Sequence, residues 1–255
     1  MSNQVQVQGE GRLSSILDKM VAKGISTFPK GVNAERLKIN ALMYIAQDKN
    51  VSEVAKNQPS KIAQIVYNFI ALGLDMLNRE CYIIPFGENL TILKDYKGEV
   101  KLARKYSVDP IREIFARVVY ENDSYHFNEL GQFVHTFDPF ATDRGDKKGA
   151  YCTVIYENGV HQTEFVNADE IKKIRGFSKS SGSQYSPWNT WEDEMWKKTA
   201  IRKAMKNIFK AYQESDNDVD FNNGSRSGTQ PIKEQNDAFD NVIESEAKEV
   251  NIHDI

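Results

Sequence analysis

The chain has 255 residues, of which 40% are hydrophobic, 27% charged and 11% aromatic, enough for one large folded body or two small ones. No apolar run approaches the roughly 20 residues of a membrane span, and the start Met1-Ser2-Asn3-Gln4-Val5-Gln6 lacks the basic and apolar regions of a signal peptide. Two cysteines, Cys81 and Cys152, are too few for a disulfide scaffold, and four scattered histidines without a Cys-x-x-Cys argue against zinc. A soluble, non-exported protein with no cofactor or metal is the expectation.

The net charge of −3 hides a split: residues 211–255 carry eleven acidic and three basic residues, and residues 1–210 carry 30 basic and 25 acidic ones. A mildly basic body with an acidic tail points to a polyanionic ligand for the body.

In chain order, residues 1–11 read as polar and disordered. Leu13, Ile16, Leu17, Met20 and Val21 recur at helical spacing, with Gly24 as a C-cap. A second helix starts near Ala34, and a third, very apolar one is capped by Ser60 and carries Ile62 through Leu77. Residues 81–86 and 90–93 flank Gly87-Glu88-Asn89 as a hairpin, and residues 95–106 look helical. Strands are expected over 111–120 and 125–134, and a second hairpin over 151–156 and 160–166 around Glu157-Asn158-Gly159. Asn167 with Glu170 starts a short helix at 168–175. The Ser/Gly-rich stretch 176–187 reads as a mobile loop, and a long helix follows from about Asn189 to Tyr212. Beyond Gln213, Asp, Asn, Ser and Gly dominate, with a short amphipathic stretch around Phe239, Val242 and Ile243.

The expected fold is α+β: N-terminal helices, a small antiparallel sheet of β-hairpins packed on helices, a long basic C-terminal helix and a disordered acidic tail. Its parts are an N-terminal arm at 1–30, a core at 31–212 and a flexible tail at 213–255 suited either to docking a partner or to shielding the basic body from nonspecific polyanions.

Two segments carry candidate chemistry. On the long helix, Ile201, Met205, Ile208 and Tyr212 share one face, and Arg202, Lys203, Lys206 and Lys210 lie opposite. Residues 172–210 hold ten Lys/Arg, including Lys173, Arg175, Lys179 and Lys198, against three acids grouped at 192–194. The second segment, 94–117, holds Lys97, Lys101, Arg104, Lys105, Arg112 and Arg117 beside Tyr96, against four acids. Lys97, Lys101 and Arg104 recur at i, i+4, i+7, one helix face. Cations interleaved with rings, Tyr96 and Trp188 among them, suit single-stranded nucleic acid: the cations meet phosphates and the rings meet bases. Trp191 and Trp196 read as core. There is no G-x-x-x-x-G-K-[ST], G-x-S-x-G or H-E-x-x-H. Carboxylate–lysine triplets at Glu99–Lys101, Asp146–Lys148 and Glu170–Lys172 leave a metal-dependent DNA nuclease as the alternative.

An ordered series of motifs runs over residues 30–212. It comprises Ala71-Leu72-Gly73-Leu74, Ile84-Pro85-Phe86, Tyr96-Lys97-Gly98, Leu102-Ala103-Arg104 and Val119-Tyr120-Glu121-Asn122-Asp123. Ser186-Pro187-Trp188, Glu194-Met195, Lys197-Lys198-Thr199 and Ile201-Arg202-Lys203 complete it. In this the chain resembles the RecT family of phage and prophage single-strand annealing proteins. It departs at Asp95, where the family often has Gly, and at Asp75-Met76-Leu77, where many members have an acid, Pro and Gly.

The resemblance implies an ATP-independent recombinase rather than an enzyme. Such a protein binds single-stranded DNA, oligomerises into rings or helical filaments, and anneals complementary strands in recombination and repair. It works beside a phage exonuclease and contacts the host single-strand-binding protein.

Overall fold

The computed structural model describes residues 2–26, 28–86, 89–178 and 181–208. They form two compact units, one up to Leu102 and one from Ala103 onward.

The first unit is helical with one hairpin. Helix α1 (Ser2–Gly24) starts well before the point the sequence suggests, so the polar stretch expected to be disordered is helical. Its buried Leu13, Leu17 and Val21 face helix α4 (Pro59–Leu72). Helices α2 (Ala34–Gln47) and α3 (Lys49–Asn57) are separated by one residue, Asp48. Its backbone N–H ends α2 on the Tyr44 carbonyl, and its carboxylate accepts from the N–H groups of Asn50 and Val51 to open α3. Reading Ser60 as a cap misses the actual start. Pro59, which needs no backbone donor at N1, begins α4 behind Gln58.

Ile62, Ala63, Val66, Phe69 and Ile70 of α4 are fully buried. Gly73 ends the helix at φ +77°, where its N–H reaches Ile70 and the Leu74 N–H reaches Phe69. A side chain is strained in that conformation, so the apolar run beyond it cannot stay helical. Strands β1 (Cys81–Phe86) and β2 (Asn89–Lys94) then pair antiparallel, with Cys81 opposite Lys94 and Ile83 opposite Ile92. Helix α5 (Tyr96–Tyr106) follows.

The second unit is a three-stranded antiparallel sheet in the order β3 (Ile111–Tyr120), β6 (Lys147–Tyr156), β7 (His161–Asn167). The single strand expected over 125–134 is instead a ribbon of two, β4 (Ser124–Phe127) and β5 (Phe133–Thr136). They turn at Asn128, whose side chain accepts from the N–H groups of Leu130 and Gln132. Residues 149–156 of β6 are buried on both sides, which explains their nearly unbroken apolar run. Tyr151 lies under the ribbon, its ring 4.8 Å from that of Phe133. The alternating Ala150, Cys152 and Val154 take the other face.

Helix α6 (Ala168–Gly176) opens with the reciprocal Asn167–Glu170 capping box. The long helix expected from Asn189 is two: α7 (Pro187–Thr190) and α8 (Glu192–Asn207), broken at Trp191. Helix α8 packs on β6, β3 and β7. No helix among the described residues is long and apolar enough to cross a membrane.

Candidate nucleic-acid interface

Helix α5 presents the first basic set. Asp95 precedes it, accepting from the Lys97 N–H at 3.1 Å through its carboxylate and from the Glu99 N–H at 2.9 Å through its carbonyl. Asp95 therefore caps the helix. Gly98 is fixed by space: a Cβ there would fall 2.1 Å from the carbonyl oxygen of Glu80. That close approach sets how α5 lies against the chain leading into β1.

Of the three lysine and arginine side chains on the i, i+4, i+7 face, Lys97 and Arg104 are exposed. Lys101 is tied at 2.6 Å to Glu80, which also accepts from the Asp75 N–H at 2.8 Å. Lys101 thus closes a turn, and part of its charge is already answered. Arg104 leans over the Arg112 carbonyl at 3.5 Å, and Lys105 lies 5.0 Å from the Tyr106 ring centre. Tyr96 is half-buried.

Arg112 and Arg117 stand exposed on β3. Arg117 lies over the rings of Phe115 and Phe137 at 5.9 and 5.4 Å and stays exposed.

Helix α8 presents the second set, but its buried arc differs from expectation. Met205 and Ile208 are buried as expected, Ile201 is only half-buried, and Ala200 and Ala204 are fully enclosed. The two alanines carry nothing beyond Cβ, so the helix lies closest to the sheet along them. Counting only large apolar residues misses such a seam. Lys198, Arg202 and Lys206, at i, i+4, i+8, lie across the helix from it. Lys206 is exposed, and Lys198 and Arg202 are half-buried. Lys203 leaves the stripe, donating to the Phe165 carbonyl at 2.9 Å and pairing with Glu170 at 3.3 Å. Lys210 and Tyr212 lie outside the described residues, as do Lys179 and the tail 213–255.

The remaining members divide in the same way. Lys173 is exposed on α6. Arg175 pairs with Glu192 at 3.5 Å and donates to Asn189. Glu192 and Asp193 both hold Lys147, at 2.5 and 2.7 Å. Asp193 also accepts from the Tyr120 hydroxyl. Burial alone would raise the Asp193 pKa, but the Lys147 and Tyr120 hydrogen bonds outweigh it and hold the carboxyl below its ordinary value. Burial, with Asp193 beside it, pushes the Tyr120 phenol well up. The acids at the start of α8 therefore bind the helix to the sheet, as well as suiting its dipole. Among the described residues, Lys97, Arg112 and Lys206 are exposed cations without an ion-pair partner.

The tryptophans correct the sequence reading. Trp188, expected to offer its ring to a base, is 2% exposed, whereas Trp191, expected in the core, is 69% exposed. Trp196 is buried as expected. Ser186 caps α7 and Pro187 occupies its first turn, which turns Trp188 inward. The helix then restarts at Trp191, so a 3.6-residue count carried across the break assigns the wrong ring to the surface. Trp191 was the missed exposed ring, and the Ser-Pro-Trp signal that introduces a new helix was the clue.

Asp123 was also passed over as chemistry. Its buried carboxylate accepts from Arg144 at 2.9 and 2.6 Å, from the Tyr120 N–H at 2.8 Å, and from His135 Nε2 at 3.0 Å. Burial opposes ionisation there, and these donors still hold the Asp123 carboxyl below its usual value. Burial pushes both thiols up, Cys81 well above its usual value and Cys152 to about 12, so neither is a ready nucleophile. Among the described residues, no group of three His, Cys, Asp or Glu side chains is placed to hold a metal ion. In the three carboxylate–lysine triplets, Lys101 and Lys147 are committed to acids outside their own triplet.

The RecT family model matches residues 38–234, more than half the chain. The chain belongs to the RecT family. It is also similar to "Protein RecT" of Escherichia coli strain K12, with 31% identity over 136 residues. That match covers 49% of this chain and 48% of the relative, so the chain spans about half the length of the curated protein it matches. In this RecT-family fold the hallmark motifs mark joints: Gly73 ends α4, Gly98 admits the Glu80 carbonyl, Asp123 holds Arg144 and His135, and Ser186-Pro187-Trp188 starts α7.

Proposed function

We propose that this chain is an ATP-independent single-stranded DNA-binding protein that oligomerises on DNA and anneals complementary strands in phage-type homologous recombination. The observation that carries the reading is the family match over residues 38–234, together with outward-facing cations on the segments 94–117 and 172–206. Lys97, Arg104, Lys105, Arg112, Arg117, Lys173, Lys198, Arg202 and Lys206 neutralise phosphates. Lys101 and Arg175 contribute less, because Glu80 and Glu192 already hold them.

Two strands repel each other as polyanions, and lowering that repulsion is the protein's contribution. Pairing then supplies about 1.4 kcal/mol per base-pair step, so sequence is read by the bases and needs no base-specific protein contacts. One protomer covers few phosphates, and a run of protomers gives the avidity that holds a strand. An exonuclease supplies the single strand, and the tail 213–255 is the segment suited to docking a partner such as the host single-strand-binding protein.

The test mixes two complementary labelled oligonucleotides without ATP and follows pairing with and without the protein. Samples with magnesium are run on a denaturing gel. Faster pairing with intact strands is expected. No acceleration contradicts the reading, and shortened strands favour a metal-dependent nuclease.

A further inference from the structure

Residues 118–143 contain no Lys or Arg and five acids, whereas the remainder of residues 1–210 carries 30 basic and 20 acidic residues. Asp123 is turned inward to Arg144 and His135, and the other four, Glu121, Glu129, Asp138 and Asp143, are exposed. The same stretch holds large apolar side chains out in water: Phe127 is 62% exposed, Leu130 80% and Phe140 89%. Phe127 is not an isolated ring. Its centre lies 5.5 Å from that of Phe133 and 6.1 Å from that of Phe165, which is itself exposed, so the rings form a continuous ledge.

An exposed apolar ledge on a stretch whose own exposed charges are all acidic marks a contact site; of the cations beside it, Arg144 is paired with Asp123 and Arg117 lies over Phe137. A DNA strand fits it poorly, since the exposed charges of residues 118–143 are four carboxylates and Arg144 beside them is already held by Asp123. The complement is a surface both apolar and positively charged, and the rest of this chain supplies that sign in excess.

We infer that the ribbon β4–β5 and the loop 137–143 dock onto a positively charged surface of a second copy of this chain. The contact is heterologous, acidic ribbon of one copy against basic surface of the next. Contacts of that kind repeat into rings or helical filaments rather than stopping at a pair. This rests on the reading that the chain oligomerises, and it assigns the face that does so.

The test uses the full chain and two variants, Leu130→Ser with Phe140→Ser, and Glu121→Lys with Glu129→Lys. All four sites are exposed, and circular dichroism checks that the fold is kept. Particle masses are measured across a concentration series, with and without an oligo-dT strand. Wild type is expected to form assemblies, and each variant to need at least about ten-fold more protein for half-assembly, the effect of losing about 1.4 kcal/mol. Wild-type assembly with both variants unchanged overturns this inference and leaves the oligomer reading standing. Assembly impaired by the serine pair and not by the lysine pair overturns the charge-matched second copy as occupant. A wild type that stays monomeric, with and without the strand, overturns both.

Discussion

The ribbon region 118–143 and the segments flanking it, 94–117 and 144–208, use charge in opposite ways. In the ribbon region one acid, Asp123, is spent inside on Arg144 and His135, and the remaining acids face water on a stretch that itself holds no Lys or Arg. In the flanking segments many cations are spent inside. Lys101 closes a turn on Glu80, Lys147 and Arg175 bind the start of α8, and Lys203 ties α8 to α6 and β7. Only after those are removed does the outward basic set emerge. A count of Lys and Arg therefore overstates a DNA surface, because a cation held by a carboxylate has less charge left for a phosphate.

The largest effect expected from breaking this division is on Trp188. Replacing it by Ala empties a core position and costs about 3–5 kcal/mol, whereas Trp191→Ala, at an exposed site, changes stability by about 0.5 kcal/mol or less. Urea unfolding of the two variants measures both, and equal losses would contradict the assignment of the rings. Next comes Asp123→Ala. It leaves Arg144 and the fully buried His135 without their acceptor, at a cost of about 3 kcal/mol. A midpoint within error of wild type would mean the carboxylate does not hold the ribbon region.

Acid sharpens the same point with the sequence unchanged. The Asp123 carboxyl titrates below its ordinary value of 3.8 in the folded chain, so the folded state binds fewer protons than the unfolded one as that value is approached. Its stabilisation is complete above the ordinary value and is lost as pH falls through the lower folded one. Asp193 behaves alike. Melting temperature should fall with pH in that range, and Asp123→Asn should flatten the fall. A profile as steep in the variant would place the acid sensitivity elsewhere.

The smallest contrast lies within one helix. Lys97→Gln should weaken single-strand binding more than Lys101→Gln, because Glu80 already answers Lys101. Equal losses by fluorescence anisotropy would show that the ion pair opens for DNA.

Much of the fold was legible because its signals are local. Asn167 and Glu170 announce a capping box, Glu157-Asn158-Gly159 a hairpin turn, and the Val/Ile/Tyr runs the strands of the sheet. What escaped depends on packing at a distance. The alanine seam of α8 is invisible to a count of large apolar residues, and the inward turn of Trp188 follows from a helix break that propensity does not place. The family was legible from short motifs in order, yet those motifs report joints of the frame. Which cations face out was not legible, since Lys97 and Lys101 sit on the same helical face and differ only in the neighbour Glu80, 21 residues away from Lys101.

The most direct test of the account is a salt titration of oligo-dT binding by wild type and by the double variant Lys97→Glu, Lys206→Glu. The account predicts that log affinity falls linearly with log salt and that the variant loses about 1.4 from the slope, two phosphate contacts at about 0.7 each. An unchanged affinity and slope in a folded variant would contradict the claim that these outward cations carry the strand.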